Sequence, residues 1–335
     1  MKKVAIVILN WNGRNHLEQF LPSVINHNIE ESEIYVADNA STDDSVEFVK
    51  EHYPDVKIIQ NTQNGGFAKG YNDALKHVEA EYFILLNSDV EVTQNWIKPL
   101  ISVMDNDINI AACQPKIRSF NNKHYFEHAG AAGGFIDHFG YPFCRGRIFQ
   151  TIEKDSGQYD DSREIFWATG ACMFVRSECF FKAGGFDEDF FAHMEEIDLC
   201  WRLKNAGFKI YYCPYSTVYH LGGGTLDYKS TRKTFLNFRN SLYMLYKNLS
   251  TQKLIPLFLI RMLLDGIAGM KFLLQGKFNH FTAVFKAHLS FYSNFSSLRK
   301  KRKQNLNQNL TGIYSGSIIV DYYFRNLKKF SDICK

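Results

Sequence analysis

Four short apolar runs, at residues 4–9, 34–37, 56–59 and 82–86, alternate with amphipathic stretches of helical length at 15–26, 43–52 and 67–79. Runs this short and continuous suit strands covered on both faces. Their alternation with helices predicts an α/β fold with a mostly parallel central sheet flanked by helices. Each run ends in a polar or glycine-bearing cluster: Asn10-Trp11-Asn12-Gly13, Asp38-Asn39-Ala40-Ser41-Thr42-Asp43, Asn61-Thr62-Gln63-Asn64-Gly65-Gly66 and Asn87-Ser88-Asp89. Open α/β sheets bind ligands outside the carboxyl ends of their strands, so four such tips predict one shared site.

Residues 115–165 read as an irregular insertion rich in glycine, histidine and aromatics. A strand region follows at 165–176, a helix at 195–206 closed by Gly207, and a strand at 208–213. From about Tyr228 the pattern changes to helices with basic faces. Charge divides at the same place. Residues 1–228 hold 20 Lys/Arg against 32 Asp/Glu, whereas 229–335 hold 19 Lys/Arg against only Asp265, Asp321 and Asp332. We therefore expect a body over 1–228 and a basic helical extension over 229–335 that seeks a polyanion. The acidic body argues against a broad nucleic-acid face. Seven cysteines, irregularly spaced and without a Cys-x-x-Cys, fit reduced thiols and a cytoplasmic setting. The apolar run after Met1-Lys2-Lys3 is six residues long, below the ~7–15 of a signal peptide.

Several residues have chemistry to offer, and each has a plainer reading beside it. Asp89, two residues after the amide of Asn87, can help hold a hard cation, or the three residues can form a turn. Asp38 can accept a base or ribose hydrogen bond, while its neighbours cap the next helix. Residues Asn64 to Gly70 bring glycines to a helix N-terminus, where amides can approach a phosphate. Glu195, Glu196 and Asp198 open a helix. They can complement its dipole, with Asp198 pairing with Arg202, or crowd one another into a general base of raised pKa. His220, beside Gly222-Gly223-Gly224, can be a metal ligand or an ordinary structural histidine.

In their joint order these stretches resemble the family 2 glycosyltransferases of GT-A fold, especially the bacterial rhamnosyltransferase-like branch. The resemblance runs over residues 3–226. Besides the four strand tips it includes Gly170-Ala-Cys-Met-Phe-Val-Arg176, Gly185-Phe-Asp-Glu-Asp-Phe-Phe191, Glu195-Glu-Ile-Asp-Leu-Cys-Trp-Arg202 and His220-Leu-Gly-Gly-Gly-Thr225. It implies an inverting glycosyltransferase that moves a sugar from a nucleotide-diphosphate donor to a hydroxyl of a glycan or lipid-linked acceptor, in bacterial cell-surface polysaccharide synthesis. On this resemblance Asp38 binds the nucleotide base. Asn10, Asn12, Asn39, Gly66, Asn72, Asn87 and Ser88 line the nucleotide-sugar side. Asp89 and His220 hold a divalent cation, Mg2+ or Mn2+, and Trp167, Gly170 and Asp187 lie on the acceptor side. Glu196 matches the base, with Glu195 and Asp198 as supporting or alternative carboxylates. Asn87 and Glu196 both depart from the aspartates of the stricter pattern. Asn87 keeps open a degenerate sugar-nucleotide-binding protein without turnover. A sugar-phosphate nucleotidyltransferase shares the layout, but Asn10-Trp11-Asn12-Gly13 replaces the Arg-bearing glycine loop expected there.

The tail refines the cellular expectation. Residues 254–274 are apolar but carry Arg261, Asp265 and Lys271, which disfavours a simple membrane span. An interfacial helix, with Phe258, Leu259, Met262 and Leu263 facing lipid, fits better. Five consecutive cations at 299–303 would add attraction to anionic lipid. The protein is thus expected at the inner face of the cell membrane, peripherally bound.

Overall fold

The computed structural model describes residues 2–222, 230–302 and 310–334. The expected boundary at 228/229, the Gly223-Gly224-Thr225 part of the last motif and Lys303 lie outside the described residues.

The first half forms β1 (Lys2–Asn10), α1 (Arg14–Asn26), β2 (Ser32–Asp38), α2 (Ser45–His52), β3 (Lys57–Gln60), α3 (Gly66–Leu75) and β4 (Ala80–Asn87). A short β5 (Val90–Val92), α4 (Ile97–Asn106) and the long β6 (Ile110–Ser119) follow. Strands β3, β2, β1 and β4 lie side by side and parallel. The side chains of β1, β2 and β4 are buried on both faces because α1, α2 and α4 cover one side and α3 the other, which is why no alternation shows in their sequence, whereas β3 is the half-covered edge strand. Register brings the strand tips level: Asn10 pairs with Asp38, Asp38 with Gln60, and Leu9 with Asn87.

The segment after β6 is not irregular. It folds into β7 (Gly134–Asp137), β8 (Pro142–Cys144), β9 (Arg147–Ile148) and β10 (Thr151–Ile152), an antiparallel meander of strands two to four residues long. Strands this short carry no readable period. The next strand region divides into β11 (Arg163–Ile165) and β12 (Cys172–Arg176), then α5 (Ser177–Lys182), α6 (Glu195–Asn205) and β13 (Lys209–His220). Strand β12 runs antiparallel between β4 and β6, and β13 lies parallel to β6, so the far half of the main sheet is mixed. A bulge between Cys213 and Thr217 absorbs Pro214, which cannot donate to the ladder. Beyond it His220 pairs with Val90 on one side and Ser119 on the other.

The C-terminal region forms α7 (Thr231–Asn248), α8 (Thr251–Leu274), α9 (Phe278–Ser293), α10 (Phe295–Lys301), β14 (Ile313–Tyr314), α11 (Ile318–Tyr323) and α12 (Phe330–Ile333). It is stitched into the body. Strand β14 adds to the small sheet beside β7, and the Ile318 and Phe330 amides donate to Asp137 and Glu153. Residues of α7, α9, α11 and α12 share one continuous core with the β-sheet.

Candidate active site

The tips of β1, β2 and β3 are knitted by side-chain amides. Asn10 Nδ2 donates to Asp38 Oδ1 (3.1 Å) and Ser41 Oγ (3.2 Å), and the Asp38 Oδ2 accepts from the Ser41 amide. Asn12 accepts from the Thr42 amide. Asn39 donates to Asn64 Oδ1 and the Gly66 carbonyl, and accepts from Asn61. Gly13 packs between Asn10 and Ser88: a Cβ there would stand 2.4 Å from Asn10 Oδ1 and 3.6 Å from Ser88 Oγ. The β1 and β4 tips are thereby in contact.

On the other flank His220 Nε2 lies 3.2 Å from Asp89 Oδ1 and 3.5 Å from the Asn87 amide nitrogen. Its Nδ1 lies 3.2 Å from Glu127 Oε2, and all three ionisable side chains are buried. Burial alone would lower the imidazole pKa, but the two carboxylates outweigh it and push it up to about 10. Burial likewise works to raise the Asp89 carboxyl, and His220 holds it below its ordinary range.

The acidic helix start reaches the Asn39 and Asn64 tips through α3, whose Gly66 bonds both side chains. Phe191 offers its carbonyl to the Phe67 and Ala68 amides (2.7 and 3.3 Å) at the helix N-terminus. Gly66, at φ +78°, lies so close that a Cβ would stand 2.5 Å from that oxygen, so glycine is required by both conformation and space. Phe191, His193 and Met194 all hold positive φ (64°, 71° and 72°), which is costly for residues with side chains. Asn240 on α7 offsets this cost: its fully buried amide donates to the carbonyls of Phe190, Ala192 and His193 at 2.7–2.9 Å. This strained turn delivers Glu195, buried, and Glu196, half-buried. Burial pushes the Glu196 carboxyl up to about 7, against backbone amides that favour its charge. Burial and the adjacent Glu196 charge raise Glu195 well above the carboxylate range. Asn10 Oδ1, Glu195 Oε2 and Glu196 Oε2 are buried acceptors without a hydrogen-bond partner among the described residues. A buried acceptor that protein atoms leave unpaired calls for another partner, an ordered water, an ion or a ligand.

A model of the family described as "Glycosyl transferase family 2" matches residues 5–180, more than half of the chain and all four strand tips. The chain is a family 2 glycosyltransferase. It belongs with the rhamnosyltransferase-like members. It is 27% identical over 232 residues to the N-acetylglucosaminyl-diphospho-decaprenol L-rhamnosyltransferase of Mycobacterium tuberculosis, covering 65% of this chain and 75% of that one. It is 26% identical over 220 residues to rhamnosyltransferase WbbL of Escherichia coli, covering 63% and 80%. Among solved structures it is similar to GalNAc-T7 with UDP, GalNAc and Mn2+ (TM-score 0.58, 19% identity, 74% of this chain), of which it spans about half (48%). It is also similar to a mannosyltransferase of Pyrobaculum calidifontis with GDP-Man and Mn2+ (TM-score 0.53, 13% identity, 89% and 76% covered). The shared architecture is the GT-A-type fold.

The remaining anticipated positions of the transferase make internal bonds. Asp198 is fully buried and accepts from Arg202 (2.8 Å), Lys247 (2.9 Å) and Asn248 (2.8 Å). Asp187 is held by Lys247 (2.6 Å) and Lys301 (2.5 Å), which overcome its burial and bring its pKa down to about 2. Both carboxylates thus fasten α7 and α10 to the α6 region. Asn72 clamps Phe186 by both of its amide atoms. Trp167 donates to the Phe135 carbonyl and lies flat on Gly134. Gly170 faces the Phe67 ring, where a Cβ would stand 3.0 Å from Cζ. Glu127, Asn240 and Lys247 were not anticipated. Glu127 lies in the insertion without a period. Asn240 and Lys247 lie in a stretch of α7 in which every residue from 240 to 248 is buried, so no polar face set them apart in the sequence.

The donor set at Asp89 and His220 suits a divalent cation, a carboxylate oxygen standing beside an imidazole nitrogen with the Asn87 amide adjacent, provided that the imidazolium held by the two carboxylates gives up its Nε2 proton as the cation takes that place beside Asp89. No group of three His, Cys, Asp or Glu forms a protein cage for a metal ion among the described residues. A cation here would draw its other ligands from diphosphate and water, as Mg2+ commonly does.

Proposed function

We propose that this transferase is an inverting enzyme that moves a hexosyl or rhamnosyl group from a nucleotide-diphosphate donor to a hydroxyl of a glycan or lipid-linked acceptor in cell-surface polysaccharide synthesis. The observation that supports the reading is a surface of knitted strand tips together with, at the start of α6, two adjacent carboxyls of raised pKa that each keep a buried oxygen bonded to no described residue. Asp38, oriented by Asn10 and the Ser41 amide, binds the base. Asn10, Asn12, Asn39, Gly66, Asn72, Asn87 and Ser88 shape the nucleotide-sugar side, by contact or by fixing the loops. Asp89 and His220 hold Mg2+ or Mn2+, which when bound neutralises charge gathering on the departing diphosphate. Trp167 and Gly170 border the acceptor. Asp187 and Asp198 act by bracing the helix that carries the base.

Glu196 takes the proton of the acceptor hydroxyl on Oε2. The acceptor oxygen forms a bond to the anomeric carbon as the bond to the diphosphate oxygen breaks, and the nucleoside diphosphate leaves with the electron pair. A carboxyl with a pKa near 7 suits this step, being ionised often enough to act and basic enough to accept. The relative from Mycobacterium tuberculosis carries a diphospho-decaprenol in its name, which supports a lipid-linked acceptor and a peripheral station at the inner membrane face.

One displacement inverts the anomeric configuration. The product, isolated and read by anomeric proton-carbon coupling in NMR, should have the configuration opposite to the donor. A product with the donor's configuration contradicts the scheme.

A further inference from the structure

Helix α8 is built inside out. Its buried positions are Leu257, Arg261, Asp265 and Gly269, one apolar residue, an ion pair and a glycine. Arg261 and Asp265 stand 3.6 Å apart as the spacing predicts, with Arg261 donating to Ser241 Oγ and stacking on Tyr141, and Asp265 beside His288 of α9 (3.2 Å). The outward positions are apolar. Ile255, Leu259, Leu263, Ile267, Met270 and Leu274 follow one another at three- and four-residue steps, forming a stripe about 30 Å long. Leu259 and Leu263 are 64% and 66% exposed, and Leu274 83%. The antiparallel α9 continues the face with Phe278, Phe285, Leu289 and Tyr292, all exposed. Phe258, expected to face lipid, turns inward against Tyr246 and Phe291. Soluble helices put the apolar stripe against the core. A hairpin with the opposite polarity requires an apolar medium outside it.

The surrounding charge says which medium. Between residues 251 and 302 the acid Asp265 is buried, and the exposed charges are all cations: Lys253 in the first turn of α8, Lys271 and Lys277 at and just past its far end, Lys286 in α9, and Arg299 and Lys300 in α10, with Lys301 paired to Asp187 and Asp189. Two copies of such a face would bring like charges together, whereas an anionic bilayer offers opposite charge around an apolar interior. Among the described residues no helix is long and apolar enough to cross a membrane. We infer that the α8–α9 hairpin is a seat that lies in the interface of an anionic lipid bilayer. This rests on the reading above that the acceptor is met at a membrane, and goes beyond it by naming the face that docks. Helix α9 packs on α7 through Phe291 and Tyr243, and α7 holds the Glu196 turn through Asn240, so the seat is one helix away from the base.

The test is flotation of the full chain with phosphatidylglycerol-containing vesicles, beside phosphatidylcholine vesicles, at low and high salt. The chain should float with the anionic vesicles at low salt, and less at high salt. The exposed substitutions Leu259→Glu and Leu263→Glu together should weaken vesicle binding by about tenfold or more, with the thermal unfolding midpoint and sugar transfer to a water-soluble acceptor unchanged. Failure of the wild-type chain to float at low salt overturns the seat. So does a dimer, seen in sedimentation velocity, that the same substitutions dissociate while vesicle binding persists. Vesicle binding without sugar transfer would leave the seat standing and remove the proposed activity. Transfer without vesicle binding would do the reverse.

Discussion

Changing Glu196 to Gln should lower kcat by about 100-fold or more and leave donor affinity nearly unchanged. Glutamine keeps the size and the polar atoms but cannot accept the hydroxyl proton. The side chain is half-buried with one unpaired oxygen, so the change disturbs little else. The pH profile supplies a second readout. Burial raises the Glu196 carboxyl to about 7, and the base works only when ionised. Wild-type kcat/KM should therefore fall about tenfold per unit as pH drops below about 7, and the variant should lose this limb. Glu195 and Glu196 are adjacent carboxyls, so the midpoint belongs to the pair. Asp198→Asn separates the roles. It weakens a buried cluster with Arg202, Lys247 and Asn248, so it should lower the unfolding midpoint while keeping the acid limb. Steady-state kinetics across pH, with thermal unfolding beside it, checks all three outcomes. Normal transfer by Glu196→Gln would remove the base assignment.

Asp89→Ala should cost about 100-fold or more in Mn2+-dependent turnover. Asn87 stands where a second carboxylate could have stood, so Asp89 is the carboxylate left at this tip to hold a cation. Its loss also leaves His220 beside Glu127 alone, and burial then lowers the imidazole pKa more effectively. The measurement is turnover against Mn2+ concentration for both proteins. Wild type should rise and saturate, and the variant should stay near its metal-free rate at every concentration. A variant that saturates like wild type would show that Asp89 does not hold the cation.

The parallel half of the sheet and its polar tips were legible because each run is continuous and each tip is polar, so two independent signals coincide at Asn10, Asp38 and Asn87. The Asp198–Arg202 and Arg261–Asp265 pairs were legible because helical spacing alone sets them. The small sheet was not, since strands such as Arg147–Ile148 are shorter than any period. Glu127 was hidden for the same reason. The role of Asp198 was open because a cluster of acids at a helix start says nothing about which will find cations; Lys247 lies 49 residues away in sequence. The outward direction of α8 was legible at Leu259, Met262 and Leu263, which are exposed, because three charges among the apolar residues argued against a fully buried helix. Phe258 turns inward instead, against Tyr246 and Phe291, and nothing in α8 itself foretells those partners from α7 and α9.

The most direct measurement is a calorimetric titration of UDP, dTDP and GDP, each with Mn2+, into the wild-type chain and into Asp38→Ala. One nucleotide should bind the wild type with a single site, more tightly with the cation than without it, and at least about tenfold more weakly to the variant. If none of the three binds, or if the best of them binds Asp38→Ala as well as wild type, the knitted strand tips do not form a donor site.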